Sequence, residues 1–461
     1  MTSLQKMLQE VDQGLPRATD KLLDLISIPS VSAEPKGSKG IARAAEWLRR
    51  ELSELGLETT IAETTGHPIV LGTTLASNDR PKLLFYGHYD VQPAEPLDQW
   101  THPPFAPRVV EEDGLHRIYG RGASDSKGQL WSVIEALRAW KNVHQSLPPG
   151  IVVLLEGEEE AGSPGLQGFI AANRALLRCD VAFISDSDMW SRDQPAITTR
   201  LKGLVHEKVT IHAPNDDLHS GHFGAVAANP IRSLAAILAE LHDASGRVAI
   251  DGFYDDVADL PPHIRSQWQA LDNAPELDGS INLQGGLPEQ GFSHLEAIWG
   301  RPTADINGIS GGNQGPGERS VLPGEAHARL TFRLVANQNP DQVRAAFQRF
   351  VRDRLPQGCT ASFEGDFGTP AVALSQDNPF LAATARALEA EFSQPAILKG
   401  TGGSIPLVEQ LSTGLGVECV VTGFILGDDA IHAPNERYDT ERLHKGIRSW
   451  VRVLAECANI P

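Results

Sequence analysis

Several short apolar runs in this chain stop abruptly at polar or charged residues. Lys82 to Tyr86 runs into Gly87-His88-Tyr89-Asp90, and Ile151 to Leu155 into Glu156-Gly157-Glu158-Glu159-Glu160. Val181 to Ile184 runs into Ser185-Asp186, and Cys419 to Leu426 into Gly427-Asp428-Asp429-Ala430-Ile431-His432. Runs this short and this apolar predict central strands covered on both faces. Helical patterns lie between them. Leu130, Ile134 and Leu137 follow Lys127-Gly128 at helix spacing, and a second helix begins at Pro379, a favoured first-turn residue. A last helix begins near Thr440, taken as the N-cap, with Leu443, Ile447, Val451 and Leu454 on one face. Alternating strands and helices predict an α/β fold with an open mixed or parallel sheet flanked by helices.

The middle of the chain has a different period. Over residues 325–335, Ala326, Ala328, Leu330, Phe332 and Leu334 alternate with His327, Arg329, Thr331 and Arg333. That is a half-buried strand of an antiparallel sheet with one solvated face. Val209 and Ile211 suggest a similar strand, and helices should follow Asn229-Pro230 and Asn339-Pro340. The Gly- and Pro-rich stretch Asn307 to Gly324 is expected to be a loop. Residues 200–369 therefore form an inserted α+β domain, with 1–199 and 370–461 as the two parts of the larger one. A length of 461 residues also calls for more than one core.

Composition narrows the partners. The net charge of −19 argues against nucleic acid or an anionic membrane. No apolar run is long enough to span a bilayer, and the N-terminal residues lack the apolar core of a secretion signal. The four cysteines are scattered without a CxxC pair, as expected of reduced thiols in the cytoplasm.

Ligands of open α/β sheets bind beyond the carboxyl ends of the strands. His88, Asp90, Glu159, Glu160, Asp186 and His432 all lie just past strand ends, and Asp125 lies in the loop GRGASDSKG ahead of a helix. Imidazole with carboxylate suits zinc or manganese and not calcium or magnesium. Two dications would balance Asp125, Glu160, Asp186 and one hydroxide, leaving Glu159 free as a base. Motifs for other chemistries are missing: there is no HExxH, GxSxG or GxxxxGK[ST], and no GxGxxG after a strand.

The blocks GHYDVQPA, YGRGASDSKG, LLEGEEEAGS, ISD, DLHSG and GGSIP resemble, in order, those of the dinuclear metallopeptidase family. That family includes the carnosine and cytosolic nonspecific dipeptidases, aminoacylase, succinyl-diaminopimelate desuccinylase and glutamate carboxypeptidase. The dipeptidase branch matches best. The resemblance implies two divalent ions, zinc first with manganese or cobalt as alternatives. His88 and His432 would each bind one ion, Asp125 would bridge them, and Glu160 and Asp186 would complete the two shells. Asp90 would hold the His88 ring, and Glu159 would be general base, then acid, around a metal-bridging hydroxide. His219 would stabilise the oxyanion from the partner subunit of a homodimer formed by the inserted domain, which would also act as a lid. Arg333, Gly403, Ser404 and Ser320 would bind the substrate carboxylate. The chain departs from the dipeptidases at Ser126, where they often carry Asp; this follows the bridging ligand and should matter little. Asp at position 186 favours a dipeptidase acting on small peptides. An N-acyl-amino-acid deacylase or carboxypeptidase is the rival on this scaffold, and a non-catalytic binding protein the remote one.

Overall fold

In the computed structural model, residues 1–35, 39–76, 80–272, 288–365, 368–403 and 405–460 are described. The chain divides into two compact units. The first comprises Met1–Thr199, Leu374–Leu398 and Pro406–Pro461, the second Arg200–Ala373 and Lys399–Ile405. The strands that organise them are, in chain order, β1 (Glu58–Ala62), β2 (Ile69–Thr73), β3 (Leu83–His88), β4 (Ile151–Glu156), β5 (Val181–Ser185), β6 (Ala196–Leu201), β7 (Gly203–His212), β8 (Thr303–Gly311), β9 (Glu325–Leu334), β10 (Thr360–Glu364) and β11 (Cys419–Thr422).

The sheet of the first unit runs β1-β2-β4-β3-β5-β11-β6. Its centre is parallel, through the pairs β4/β3, β3/β5 and β5/β11, and its margins are antiparallel. This is the open mixed sheet expected from the apolar runs. Every residue of β3, β4 and β5 is buried, which explains why these strands are apolar without alternation. Helices Gln129–His144, Pro379–Phe392 and Thr440–Cys457 supply Trp131, Phe380 and Trp450 to the core beside Phe85 and Phe183. The Phe85, Phe183 and Trp450 rings meet at 5.3–5.8 Å. Each such ring contributes about 1.5–3 kcal/mol by leaving water.

The second unit carries the antiparallel sheet β8-β9-β7-β10. The even-numbered residues Ala326 to Leu334 of β9 are buried in its core, and Glu325, His327, Arg329 and Arg333 lie on the open face. Asn229 and Asn339 cap the helices Pro230–Ala239 and Pro340–Arg352, as their Asn-Pro pairs predicted.

Three details differ from expectation. The expected loop Asn307 to Gly324 is not all loop: residues 307–311 are the second half of β8, and Val321–Leu322 form a short strand antiparallel to Leu218–His219. The apolar run at Cys419 stays in the sheet only to Thr422; beyond it the chain passes close to the Ser187 backbone at Gly423, where only glycine fits, and Ile425 is joined to Asp188 by a single bridge. The cap of the last helix is Asp439, whose carboxylate accepts from the Arg442 amide, and Thr440 is its first residue.

Candidate metal centre

His88 closes β3 and is fully buried. Gly87 makes that position possible, because a side chain there would put its Cβ 2.8 Å from the Leu130 Cβ. The His88 Nδ1 lies 3.1 Å from the Asp90 carbonyl oxygen and 3.4 Å from its Oδ1. The Asp90 carboxylate also accepts from the amides of Glu159 (3.2 Å) and Glu160 (3.0 Å). One buried acid thus ties the end of β3 to the turn that follows β4.

On its other side, His88 Nε2 lies 3.1 Å from Asp125 Oδ1 and 3.6 Å from Asp186 Oδ2. His432 Nε2 lies 2.9 Å from Asp125 Oδ2 and 3.2 Å from Glu160 Oε2. The donor atoms of His88, Asp125 and Asp186 lie within 4.8 Å of one another, as do those of Asp125, Glu160 and His432. Asp125 belongs to both groups and turns one oxygen to each imidazole. His432 has φ +58°, a left-handed conformation rare for a non-glycine residue and concentrated at functional sites.

The three adjacent glutamates do different things. Glu158 is buried and accepts from the amides of His67 (2.7 Å) and Gly165 (2.6 Å). Glu160 faces His432 and accepts from the Gln92 side chain at 2.9 Å. Glu159 is held through its amide by Asp90, and its carboxylate interacts electrostatically with His88, Glu160, Asp90 and Asp125.

The loop that carries Asp125 rests on a residue not singled out from sequence. Glu436 is fully buried; Oε1 accepts from the amides of Ser124 and Asp125, Oε2 from the Gly122 amide and the Arg121 guanidinium, all at 2.7–3.0 Å. Burial pushes its pKa up to about 7, yet all four partners donate, so the ionised form is the one the geometry satisfies. Its position four residues after His432, in the same stretch HAPNE, was the available signal.

The electrostatics of the cluster call for positive charge. Burial lowers the His88 pKa, but Asp186, Asp125, Asp90 and Glu159 outweigh it and raise it well above the usual range. Hydrogen bonds to Asp125 and Glu160 push His432 up to about 10. Burial raises Asp186 and Glu159, with His88 opposing and the neighbouring carboxylates adding to the rise. Protons on the imidazoles are the counter-charge available to these carboxylates. Divalent cations would replace those protons, so the donor set fits such ions.

The other expected site residues belong to the second unit, except Ser404, which lies outside the described residues. His219 is exposed, and its Nδ1 accepts from the Gly221 amide at 3.1 Å. The Ser320 carbonyl accepts from the Ser220 amide at 2.9 Å, so Ser320 is tied to the residue after His219. Arg333 is half-buried on β9 opposite Leu204. The Gly403 carbonyl accepts from the Lys202 amide at 3.1 Å.

Residues 84–456 match the sequence profile of Peptidase family M20/M25/M40. The chain belongs to this family. It is a metallohydrolase by that membership, as the resemblance of its motifs implied. Among family relatives it is 28% identical to the Cys-Gly metallodipeptidase of Schizosaccharomyces pombe, over 99% of each chain. It is 30% identical to the cysteinylglycine-S-conjugate dipeptidase of Corynebacterium striatum, over 94% of this chain and 93% of the relative. Among solved structures it superposes on the M20 family metallo-carboxypeptidase Sso-CP2 of Sulfolobus solfataricus with a TM-score of 0.72 at 28% identity, covering 96% of this chain and 99% of the other.

Proposed function

We propose that this chain hydrolyses the peptide bond of dipeptides with two divalent ions held by His88, Asp125, Glu160, Asp186 and His432. The observation that carries this reading is the placement of Asp125 between His88 and His432, one carboxylate oxygen toward each. Zinc is the first choice of ion, with manganese or cobalt as alternatives, because the donors are imidazoles and carboxylates. Bound there, the ions would polarise the scissile carbonyl and acidify water.

Glu159 takes the proton from the attacking water and later delivers it to the leaving amine. Asp90 fixes the His88 ring and the backbone of Glu159 together, so base and ligands keep their spacing. His219 donates to the developing oxyanion, and Arg333, with Gly403, Ser404 and Ser320, holds the substrate carboxylate.

Dipeptides are the favoured substrates because the Schizosaccharomyces pombe and Corynebacterium striatum relatives are both dipeptidases at near-full coverage. Small Cys-Gly-type peptides are the first to test. A carboxypeptidase is the second reading, favoured by the likeness to Sso-CP2.

The active form in this proposal is a homodimer joined through the second unit, which serves as lid and dimerisation domain and supplies His219 of the partner subunit to each site. The edge strand β8, with Ile306 and Ile309 exposed, supports such a contact. A reducing, cytoplasmic setting is supported by four free, buried cysteines. Among the described residues no helix is long and apolar enough to cross a membrane.

The deciding experiment is a substrate panel of Cys-Gly, other dipeptides, longer peptides and N-acetyl amino acids, run on metal-free protein and on protein reloaded with zinc, manganese or cobalt. Metal-dependent cleavage confined to dipeptides is expected. Full activity without metal, or cleavage of N-acetyl amino acids alone, overturns the reading.

A further inference from the structure

The open face of the second unit's sheet carries a cluster that the hydrolytic reading does not use. On β7 and β9, Glu325 pairs directly with His212, and His327 stands two residues further along β9, opposite Thr210. In an antiparallel ladder these positions share one face. The His212 Nδ1 lies 3.6 Å from Glu325 Oε2, and the His327 Nε2 lies 3.4 Å from Glu325 Oε1. Two imidazoles thus address one carboxylate from its two sides.

The far nitrogen of each ring is anchored. The His327 Nδ1 is 2.9 Å from the Thr210 hydroxyl, and the His212 Nε2 is 2.8 Å from the hydroxyl of Ser362 on β10. A hydroxyl that fixes one ring nitrogen orients the other, as the outer partners of metal-ligating histidines do. The side chains remain open to solvent: 38% for His212, 56% for Glu325 and 27% for His327.

We propose that His212, Glu325 and His327 form a further divalent-cation site for a borderline ion such as zinc, nickel or copper. Two imidazoles and one carboxylate are a sufficient set for these ions, with water completing the shell. Unlike the donors of each group in the main centre, the three donors here do not all lie within 4.8 Å of one another in this structure. Capture therefore draws the exposed Glu325 carboxylate and the rings together. The cross-strand pair Arg329–Lys208 lies on the same face one step beyond His327, and Lys208 is partly neutralised by Glu364 at 2.9 Å. Both features make this site weaker than the main one.

The test is calorimetric titration of the desalted holoenzyme with zinc chloride and, separately, nickel chloride. One additional equivalent per chain is expected beyond the resident ions. His212→Ala with His327→Ala should abolish it and leave dipeptide turnover unchanged. Thr210→Val, which removes only the anchor of one ring, should weaken it by about 10–100-fold. In Asp125→Ala, which impairs the main centre, the additional equivalent should persist, so failure here is distinct from failure of the hydrolytic reading. No additional equivalent, or one that survives the double histidine variant, overturns the proposal and leaves the trio a hydrogen-bonded surface cluster.

Discussion

Replacing Glu436 by Gln should be far more damaging than its near-equal volume suggests. Each carboxylate oxygen of Glu436 accepts two hydrogen bonds: Oε1 from the Ser124 and Asp125 amides, Oε2 from the Gly122 amide and Arg121. Whichever way the Gln amide lies, its NH2 group faces two donors. Two unsatisfied buried donors cost about 1–3 kcal/mol each, and a buried guanidinium left without its carboxylate costs about 3–5 kcal/mol. These overlap when the NH2 lies on the Arg121 side, and Arg121 keeps its bond to the Pro93 carbonyl. The net expectation is a loss of about 4–8 kcal/mol, set against a total of about 5–15 kcal/mol for a typical domain. The measurement is urea unfolding followed by tryptophan fluorescence, with metal content on the same samples. Metal should fall with stability, because the Asp125 amide hangs on the same carboxylate. A Glu436→Gln protein within about 1 kcal/mol of the parent, with full metal content, would refute the role of Glu436 as the cradle of this loop.

The glutamate run should separate into three phenotypes. Glu159→Gln should keep its metal and lose about 10²–10⁴ in turnover, Glu160→Gln should lose metal, and Glu158→Gln should lose stability through the His67 and Gly165 amides. Metal analysis, steady-state kinetics and denaturation together read all three, and exchange of the first two behaviours would shift the assignment by one residue. Burial lowers the pKa of Lys202 to about 7, with Asp305 opposing and Arg333 adding to the fall. The folded state therefore binds fewer protons than the unfolded one between about pH 7 and the ordinary lysine value of 10.5, and the cost of charging Lys202 is fully present below that window and fades through it. Lys202→Met should flatten the rise of the denaturation midpoint between about pH 7 and 10, and parallel curves for the two proteins would contradict this. Mixing His219→Ala with Glu159→Gln under conditions of subunit exchange should restore activity if His219 acts across the proposed dimer; demonstrated exchange without recovery would place it within its own chain or outside the reaction.

Much of the fold was legible because β3, β4 and β5 are covered on both faces, so burial writes itself into composition. The acidic and imidazole residues that end these strands were legible for the complementary reason, since no apolar core would keep them. What was missed had no such mark. The Asn307–Gly311 half of β8 is rich in glycine, and the strand carries an irregularity between Ile306 and Gly308. Nothing in its composition distinguishes it from the loop that follows. Glu436 works mainly through backbone amides, which every residue has, and its side-chain partner Arg121 lies 315 residues away in sequence, so no nearby partner announces it. The cap at Asp439 is one position before the expected Thr440 because both residue types can cap, and only the Arg442 amide decides between them.

The sheet order has a consequence for synthesis. β11 lies between β5 and β6, yet it leaves the ribosome only after the whole middle of the chain. Until then the edge of β5, with the buried Val181, Ala182, Phe183 and Ile184, has no neighbour on that side. Such an edge is a template for pairing with other nascent chains. A message cut short before Cys419 would therefore yield a product prone to pairing with other chains, and not merely an inert one.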